Sequence, residues 1–192
     1  MFKRALIALA IAIAATVPAF AHLDPSEHGS FAAGFSHPLF GLDHILAMVA
    51  VGLWAAMQGG RAVWIVPAAF VGTMALGFAA AIAGVPLPFV EPVILASVIF
   101  ICIAVALALP IPTSAVAAMV GFFAFFHGHA HGGELGDAGA WEFAIGFILA
   151  TGVLHAVGIG AGLALARFGG KVLGRVAGAA TALGGLWLAF GA

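Results

Sequence analysis

Six long runs of apolar residues follow one another along the chain, separated by short segments rich in proline, glycine and charge. Each run approximates the ~20 residues that an α-helix needs to cross ~30 Å of hydrocarbon. Only helices suit such runs, because backbone polar groups in lipid must be satisfied within the segment. The predicted helices cover residues 38–57, 62–83, 92–109, 113–131, 140–166 and 172–190. The pattern predicts an all-α membrane protein, with a bundle of six transmembrane helices in a single domain over residues 22–192.

A shorter apolar stretch, residues 5–17, precedes the six runs and follows a basic start. Pro18 and small residues up to Ala21 come next, which is typical of a secretory signal peptide cleaved after Ala21. Residues 1–21 are therefore predicted to be removed; the alternative is an uncleaved first helix, giving seven spans. Cleavage would make His22 the N-terminus, where its amine and imidazole could chelate a metal together. An ordinary flexible tail is the alternative for His22.

Composition agrees with a membrane protein and excludes several partners. The chain is 65% hydrophobic and only 7% charged, far below the roughly 25% charged residues of soluble domains. A net charge of -1 indicates neither nucleic acid nor an acidic partner. The single cysteine, Cys102, excludes an intramolecular disulfide and a metal site built from thiolates. Lipid is the expected surroundings, and the chemistry must come from histidines and carboxylates.

The charged residues orient the predicted helices. After signal cleavage, all lysines and arginines fall in segments on one side: Arg61, Arg167, Lys171 and Arg175. The positive-inside rule then predicts a bacterial inner-membrane protein with both mature termini in the periplasm. Acidic residues take the other side: Asp24, Glu27, Asp43, Glu91, Glu134, Asp137 and Glu142. A negative outer mouth would concentrate cations; the alternative is that acids merely fill positions that cations avoid.

The first predicted span begins with two histidines and an aspartate. Pro38 suits the first turn of a helix and favours an extended His37 at the membrane surface. Asp43 and His44 would lie about 8–10 Å deeper. One helix face would carry His37, Gly41, His44 and Met48. An ionisable pair at that depth indicates function; the alternative is a structural Asp–His hydrogen bond that joins two helices.

The fourth span ends in a histidine-rich segment. His127, His131 and Glu134 are spaced i, i+4 and i+7, so they line one helix face, whereas His129 points about 200° from His127 and is the weakest ligand. Imidazole with carboxylate suits nickel, zinc, copper or iron. A solvated histidine-rich loop is the alternative, which fits His129 well and the shared face of the other three poorly.

The fifth span carries one ionisable residue in its middle, His155. Thr151, one turn away, could hydrogen-bond it. A satisfied structural histidine and a deep ligand on an ion pathway are both open interpretations. Met48 and Met119 could be soft ligands, although methionine on an apolar helix usually packs.

Small residues at four-residue spacing predict where helices approach closely. The pairs are Gly128 with Gly132, Gly158 with Gly162, and Gly174 with Gly178.

The two histidine-rich segments resemble those of the HupE/UreJ family of hydrogenase and urease accessory membrane proteins. The motif His-Pro-x-x-Gly-x-Asp-His is met by residues 37–44, and Phe-His-Gly-x-Ala-His-Gly-x-Glu by residues 126–134. The similarity covers the whole mature chain, the signal peptide and the span count. One departure is Gly136, where relatives often carry proline. The resemblance implies a nickel permease that supplies nickel enzymes, with a functional set of His37, Asp43, His44, His127, His131 and Glu134.

These features predict a metal carrier rather than an enzyme. Nickel would be the transported substrate, with cobalt as the alternative, and no permanently bound cofactor is expected. Metallochaperones of hydrogenase or urease are conceivable partners. No glycine-rich phosphate loop with its lysine is present in the sequence, so a bound nucleotide is not expected. The alternatives are a membrane metal-dependent hydrolase, a haem-binding electron carrier, and a pure assembly or sensor subunit.

Overall fold

The computed structural model describes residues 29–190, and all regular structure within that range is helical. The predicted signal peptide and His22 lie outside the described residues. The helices are α1 Ser30–Phe40, α2 Leu42–Gln58, α3 Ala62–Ile82, α4 Val90–Leu107, α5 Thr113–Gly133 and α6 Ala140–Phe190. The all-α expectation is therefore confirmed for the described part of the chain.

Four of these helical segments are long and apolar enough to cross a membrane: α3, α4, α5 and the Ala140–Phe168 part of α6. Helices α1 and α2 form a pair bent by 76° that passes the same test as one broken span. Within the later part of α6, Val172–Gly184 is a shorter apolar helical stretch. The chain is thus a multi-pass membrane protein with four to five candidate spans, and the count of six stays a prediction.

The first predicted span differs from the observed one. A continuous helix starting at Pro38 was expected, with His37 extended, but α1 begins at Ser30 and contains both residues. The helix then breaks at Gly41, whose φ of -85° and ψ of 114° are extended. Inside α1, Pro38 removes one backbone hydrogen bond and its ring crowds the carbonyl one turn earlier, and the helix ends two residues after it. The expectation was wrong because packing of α1 against α6, which local pattern does not reveal, extends the helix upstream.

Close helix contacts depend on glycine. A Cβ on Gly128 would overlap the Met74 carbonyl of α3, and one on Gly158 would overlap the Val49 carbonyl of α2. The partner positions Gly132 and Gly162 likewise meet Phe78 and Ala56. In lipid, where apolar side chains gain little by leaving the solvent, such van der Waals contact between backbones stabilises helix pairs. The structure confirms the predicted spacing of small residues.

The last helix returns along the bundle. Gly162 packs on Leu53, Gly174 on Met57 and Gly184 on Leu46. The contacted residue of α2 moves toward the C-terminal end of that helix up to Gly174 and lies nearer its N-terminal end at Gly184. The path of the chain therefore reverses between Gly162 and Gly174. Gly178 in this returning segment lies against Val105 of α4.

Large apolar side chains divide between the core and the outer surface. Trp54, Phe70 and Phe147 are almost completely buried, whereas Trp64 and Trp141 are 77% and 81% exposed. In a soluble protein such an exposed apolar surface would drive association. Here it is the surface that faces lipid, and the polar groups gather inside the bundle.

Candidate metal site

Three histidines from three helices meet at one end of the bundle. His37 of α1, His44 of α2 and His131 of α5 each offer a ring nitrogen, and these atoms lie within 4.8 Å of one another. The three side chains are buried, at 6%, 6% and 3% exposure. The expectation that His44 lies about 8–10 Å deeper than His37 was wrong, since their ring centroids are only 5.4 Å apart. The bend between α1 and α2 places the two rings side by side.

Gly41 makes this bend compatible with the histidine cluster. A Cβ at Gly41 would lie 2.7 Å from His44 Nδ1 and 2.9 Å from Asp43 Oδ1. The side chains of the next turn therefore occupy the space that any larger residue would fill. The sequence predicted that His37 and His44 share one face of a straight helix. In the structure the chain bends at Gly41 instead, and the bend brings the two rings together.

Two carboxylates lie beside the imidazoles. Asp43 Oδ1 accepts a hydrogen bond from His44 Nδ1 at 2.8 Å, which leaves the lone pair of His44 on Nε2, toward the cluster. Glu134 Oε2 lies 3.6 Å from His131 Nδ1. A carboxylate hydrogen-bonded to the far ring nitrogen, as Asp43 is, fixes the orientation of a ligating histidine in metal sites, whereas Glu134 at its longer distance acts on His131 through its charge. Both acids lie in the site's pocket but outside the group of three mutually close ligand atoms.

The spacing of the nitrogens suits one transition-metal ion. His44 Nε2 and His131 Nε2 are 2.6 Å apart. Two imidazole nitrogens bound to one ion at about 2.0–2.1 Å would stand about 2.9 Å apart in adjacent positions. If the two nitrogens moved apart by a few tenths of an ångström, the ion would fit between them, with His37 as a third ligand.

The cluster opens into a pocket of about 210 Å³. Besides the three histidines, Asp43, Glu134 and Glu91 line it. Glu91, in the first turn of α4, was counted among the outer acids but was not predicted as a site residue. Its place among the acidic residues of the outer side is the sequence signal that pointed to it. Three acids around three imidazoles make an opening that attracts cations.

His127 lies one layer deeper and is completely buried. Its ring centroid is 5.5 Å from that of His44. Ser97 Oγ donates to the Ile94 carbonyl at 2.6 Å, so it accepts the hydrogen of His127 Nε2 at 3.0 Å. The lone pair of His127 is thus on Nδ1, a buried atom without a hydrogen-bond partner among the described residues. Ser97 was missed in the sequence because a lone serine in an apolar run carries no pattern.

The remaining candidate ligands lie apart from the cluster. His129 Nε2 donates to the Val85 carbonyl at 2.7 Å, on another side of α5. Met48 is fully buried in the apolar core, and Met119 packs against it.

His155 is buried at 1% exposure against Phe70, with ring centroids 5.0 Å apart. The expected hydrogen bond from Thr151 to His155 was wrong. Thr151 Oγ1 instead donates to Met74 Sδ at 3.7 Å, because that sulfur faces the hydroxyl across the α3–α6 contact.

The fold and the pocket define a helical membrane protein with a cluster of buried histidines that is accessible from one end. The chain belongs to the HupE/UreJ family: the family described as HupE / UreJ protein matches residues 9–188. It is 49% identical over 182 residues to "Protein HupE" of Rhizobium leguminosarum bv. viciae, covering 93% of this chain and 94% of that protein. No solved structure matches the chain.

Proposed function

We propose that this protein is an inner-membrane carrier for a divalent transition metal, with nickel as the cargo, which supports the maturation of hydrogenase or urease. The observation that carries the proposal is the meeting of His37, His44 and His131 at the inner end of an acidic pocket. Membership of the HupE/UreJ family supports it as well. A buried group of three imidazoles is costly in a membrane protein unless it serves an ion.

The pocket provides a path from hydrated to bound ion. Glu91, Glu134 and Asp43 at the opening raise the local concentration of divalent cations. The three histidines then replace part of the water shell, while Asp43 holds the His44 ring in the orientation that presents Nε2. An incomplete ligand set of this kind binds with moderate affinity, which transport needs, because a closed cage would retain the ion.

The distribution of charge supports entry from the periplasm. The pocket lies at the His44 end of α2, and Arg61 follows the opposite end of that helix. Arg167 and Arg175 are exposed, and Gly174 beside Arg175 packs on Met57, near the same end of the bundle as Arg61. The positive-inside rule then puts the arginines in the cytoplasm and the acidic pocket outside.

Nickel is favoured over cobalt by the family resemblance alone. Imidazole and carboxylate donors bind both ions, and the intrinsic order of affinities places cobalt just below nickel. Competition between the two ions for the same purified protein decides between them.

Uptake of radioactive nickel in cells that lack their own importers tests the proposal. We expect uptake by the wild type, loss of uptake with His44→Ala, and strongly reduced uptake with Glu134→Ala. His129→Ala is the matched control, because its ring is bonded to Val85 outside the cluster and uptake should be unchanged. Equal uptake by all four proteins, at equal amounts in the membrane, would refute the carrier assignment.

A further inference from the structure

Below the pocket, aromatic packing separates two buried histidines. Phe70 of α3 is completely buried, and its ring lies against His127, with centroids 5.9 Å apart, and against His155, with centroids 5.0 Å apart. His127 is in ring contact with His44 of the outer cluster. The imidazoles therefore form a series from the pocket to the middle of the bundle, interrupted by one phenyl ring.

His155 lacks the partners that a structural histidine would have. Neither of its ring nitrogens has a hydrogen-bond partner among the described residues, although the residue is only 1% exposed. A buried polar group without a partner is destabilising, and one inside a membrane protein indicates a function. An imidazole that offers a free lone pair is a ligand for a borderline-soft cation.

The surroundings of His155 suit a passing metal ion better than a proton relay. Thr151 lies one turn away on the same face of α6, and Met74 lies one turn from Phe70 on α3, with the Thr151 hydroxyl bonded to the Met74 sulfur. Imidazole, hydroxyl and thioether thus come together without a buried carboxylate in this layer of the described residues. Thioether and imidazole are ligands of soft and borderline metals.

We propose that Phe70 is a hydrophobic gate that separates the outer histidine cluster from a deeper metal station at His155. This inference rests on the proposed carrier function. In its observed position the apolar Phe70 ring lies against both His127 and His155, so it would stand between an ion held by the outer histidines and the nitrogens of His155. Rotation of the Phe70 side chain would connect His127 with His155, and an apolar constriction of this kind blocks ions until it opens.

Thiol modification at position 155 tests the gate without relying on transport. His155→Cys is made in a Cys102→Ala background, and the small cationic reagent methanethiosulfonate ethylammonium is added to the outside of cells. We expect slow modification with Phe70 present, at least tenfold faster modification with Phe70→Ala, and an intermediate rate with Phe70→Leu. Phe122→Ala is the control, since Phe122 is 56% exposed on the lipid-facing surface and its removal should leave the rate unchanged.

Native Cys102 reports on folding in the same assay. It is fully buried, so it must stay unmodified when Phe70→Ala is made in the protein that retains Cys102 and His155. Equal modification rates with Phe70 and with either Phe70 variant, at intact Cys102 protection, would overturn the gate. The carrier function is tested separately by nickel uptake. If the wild type takes up no nickel but the modification rate at position 155 still depends on Phe70, the carrier function is rejected and the Phe70 barrier is retained.

Discussion

His44 and His131 are 87 residues apart in the chain, yet their Nε2 atoms lie 2.6 Å from each other. This distance is that of a hydrogen bond between the two rings, because two lone pairs would repel each other there. Asp43 holds the hydrogen of His44 on the far nitrogen. His131 Nε2 therefore donates to His44 Nε2, and a divalent metal between the rings would take the place of that hydrogen, which would move to His131 Nδ1 on the side of Glu134.

Removal of His131 should strongly weaken metal binding. We expect His131→Ala to weaken nickel binding to the purified protein by more than about 100-fold, because loss of a direct ligand exceeds the 10–100-fold typical of an outer partner. Isothermal titration in detergent measures the change, and His129→Ala should bind like the wild type. Unchanged affinity in His131→Ala would remove this histidine from the site.

Asp43 should act through His44 rather than as a ligand. Asp43→Asn leaves a group of the same shape that accepts the His44 hydrogen more weakly, so we expect nickel affinity to fall about 10–100-fold. Asp137→Asn, in the loop after α5, is the control of equal charge change. A loss as large as that of His131→Ala would instead make Asp43 a direct ligand.

Gly41→Ala should damage the site while sparing the bundle. Its methyl group would displace the His44 and Asp43 side chains, which now lie 2.7 Å and 2.9 Å from that position. We expect weaker nickel binding with a nearly unchanged thermal midpoint. Gly72→Ala on α3 meets no atom within 4 Å and should leave both measurements at wild-type values or raise stability by up to about 1 kcal/mol. Wild-type affinity in Gly41→Ala would show that the bend tolerates a side chain.

Gly128→Ala should destabilise the bundle itself. The added methyl would overlap the Met74 carbonyl, and overpacking of this kind costs about 1–3 kcal/mol. Thermal unfolding in detergent should show a clear drop in midpoint relative to Gly152→Ala, which adds the same methyl to a helix position with open space around it. Equal midpoints for the two variants would contradict the close α3–α5 contact.

Glu91 should speed ion capture. It lines the pocket but has no place in the ligand group, so its charge acts by attraction. We expect Glu91→Gln to lower the initial rate of nickel uptake several-fold at low ionic strength, with a smaller effect at high salt because exposed charges are screened. Glu142→Gln, outside the pocket, is the matched control. A salt-independent loss would point to direct coordination instead.

Much of the helix arrangement could be predicted from local pattern. Apolar runs separated by proline and glycine indicated α3, α4 and α5 within a few residues, since hydropathy and chain length together dictate which segments enter lipid. The glycine pairs at four-residue spacing marked real close contacts between helices. The shared face of His127 and His131 followed from helical period, and His129 was correctly separated from them.

The sequence alone determined which segments are apolar helices and which residue types could bind a metal, because these properties depend on neighbours within one or two turns. Tertiary structure alone decided that α1 and α2 bend at Gly41, that His37 joins His131, and that Ser97, Glu91 and Phe70 flank the histidines. Those relationships join residues far apart in the chain, and the packing of whole helices against one another sets them.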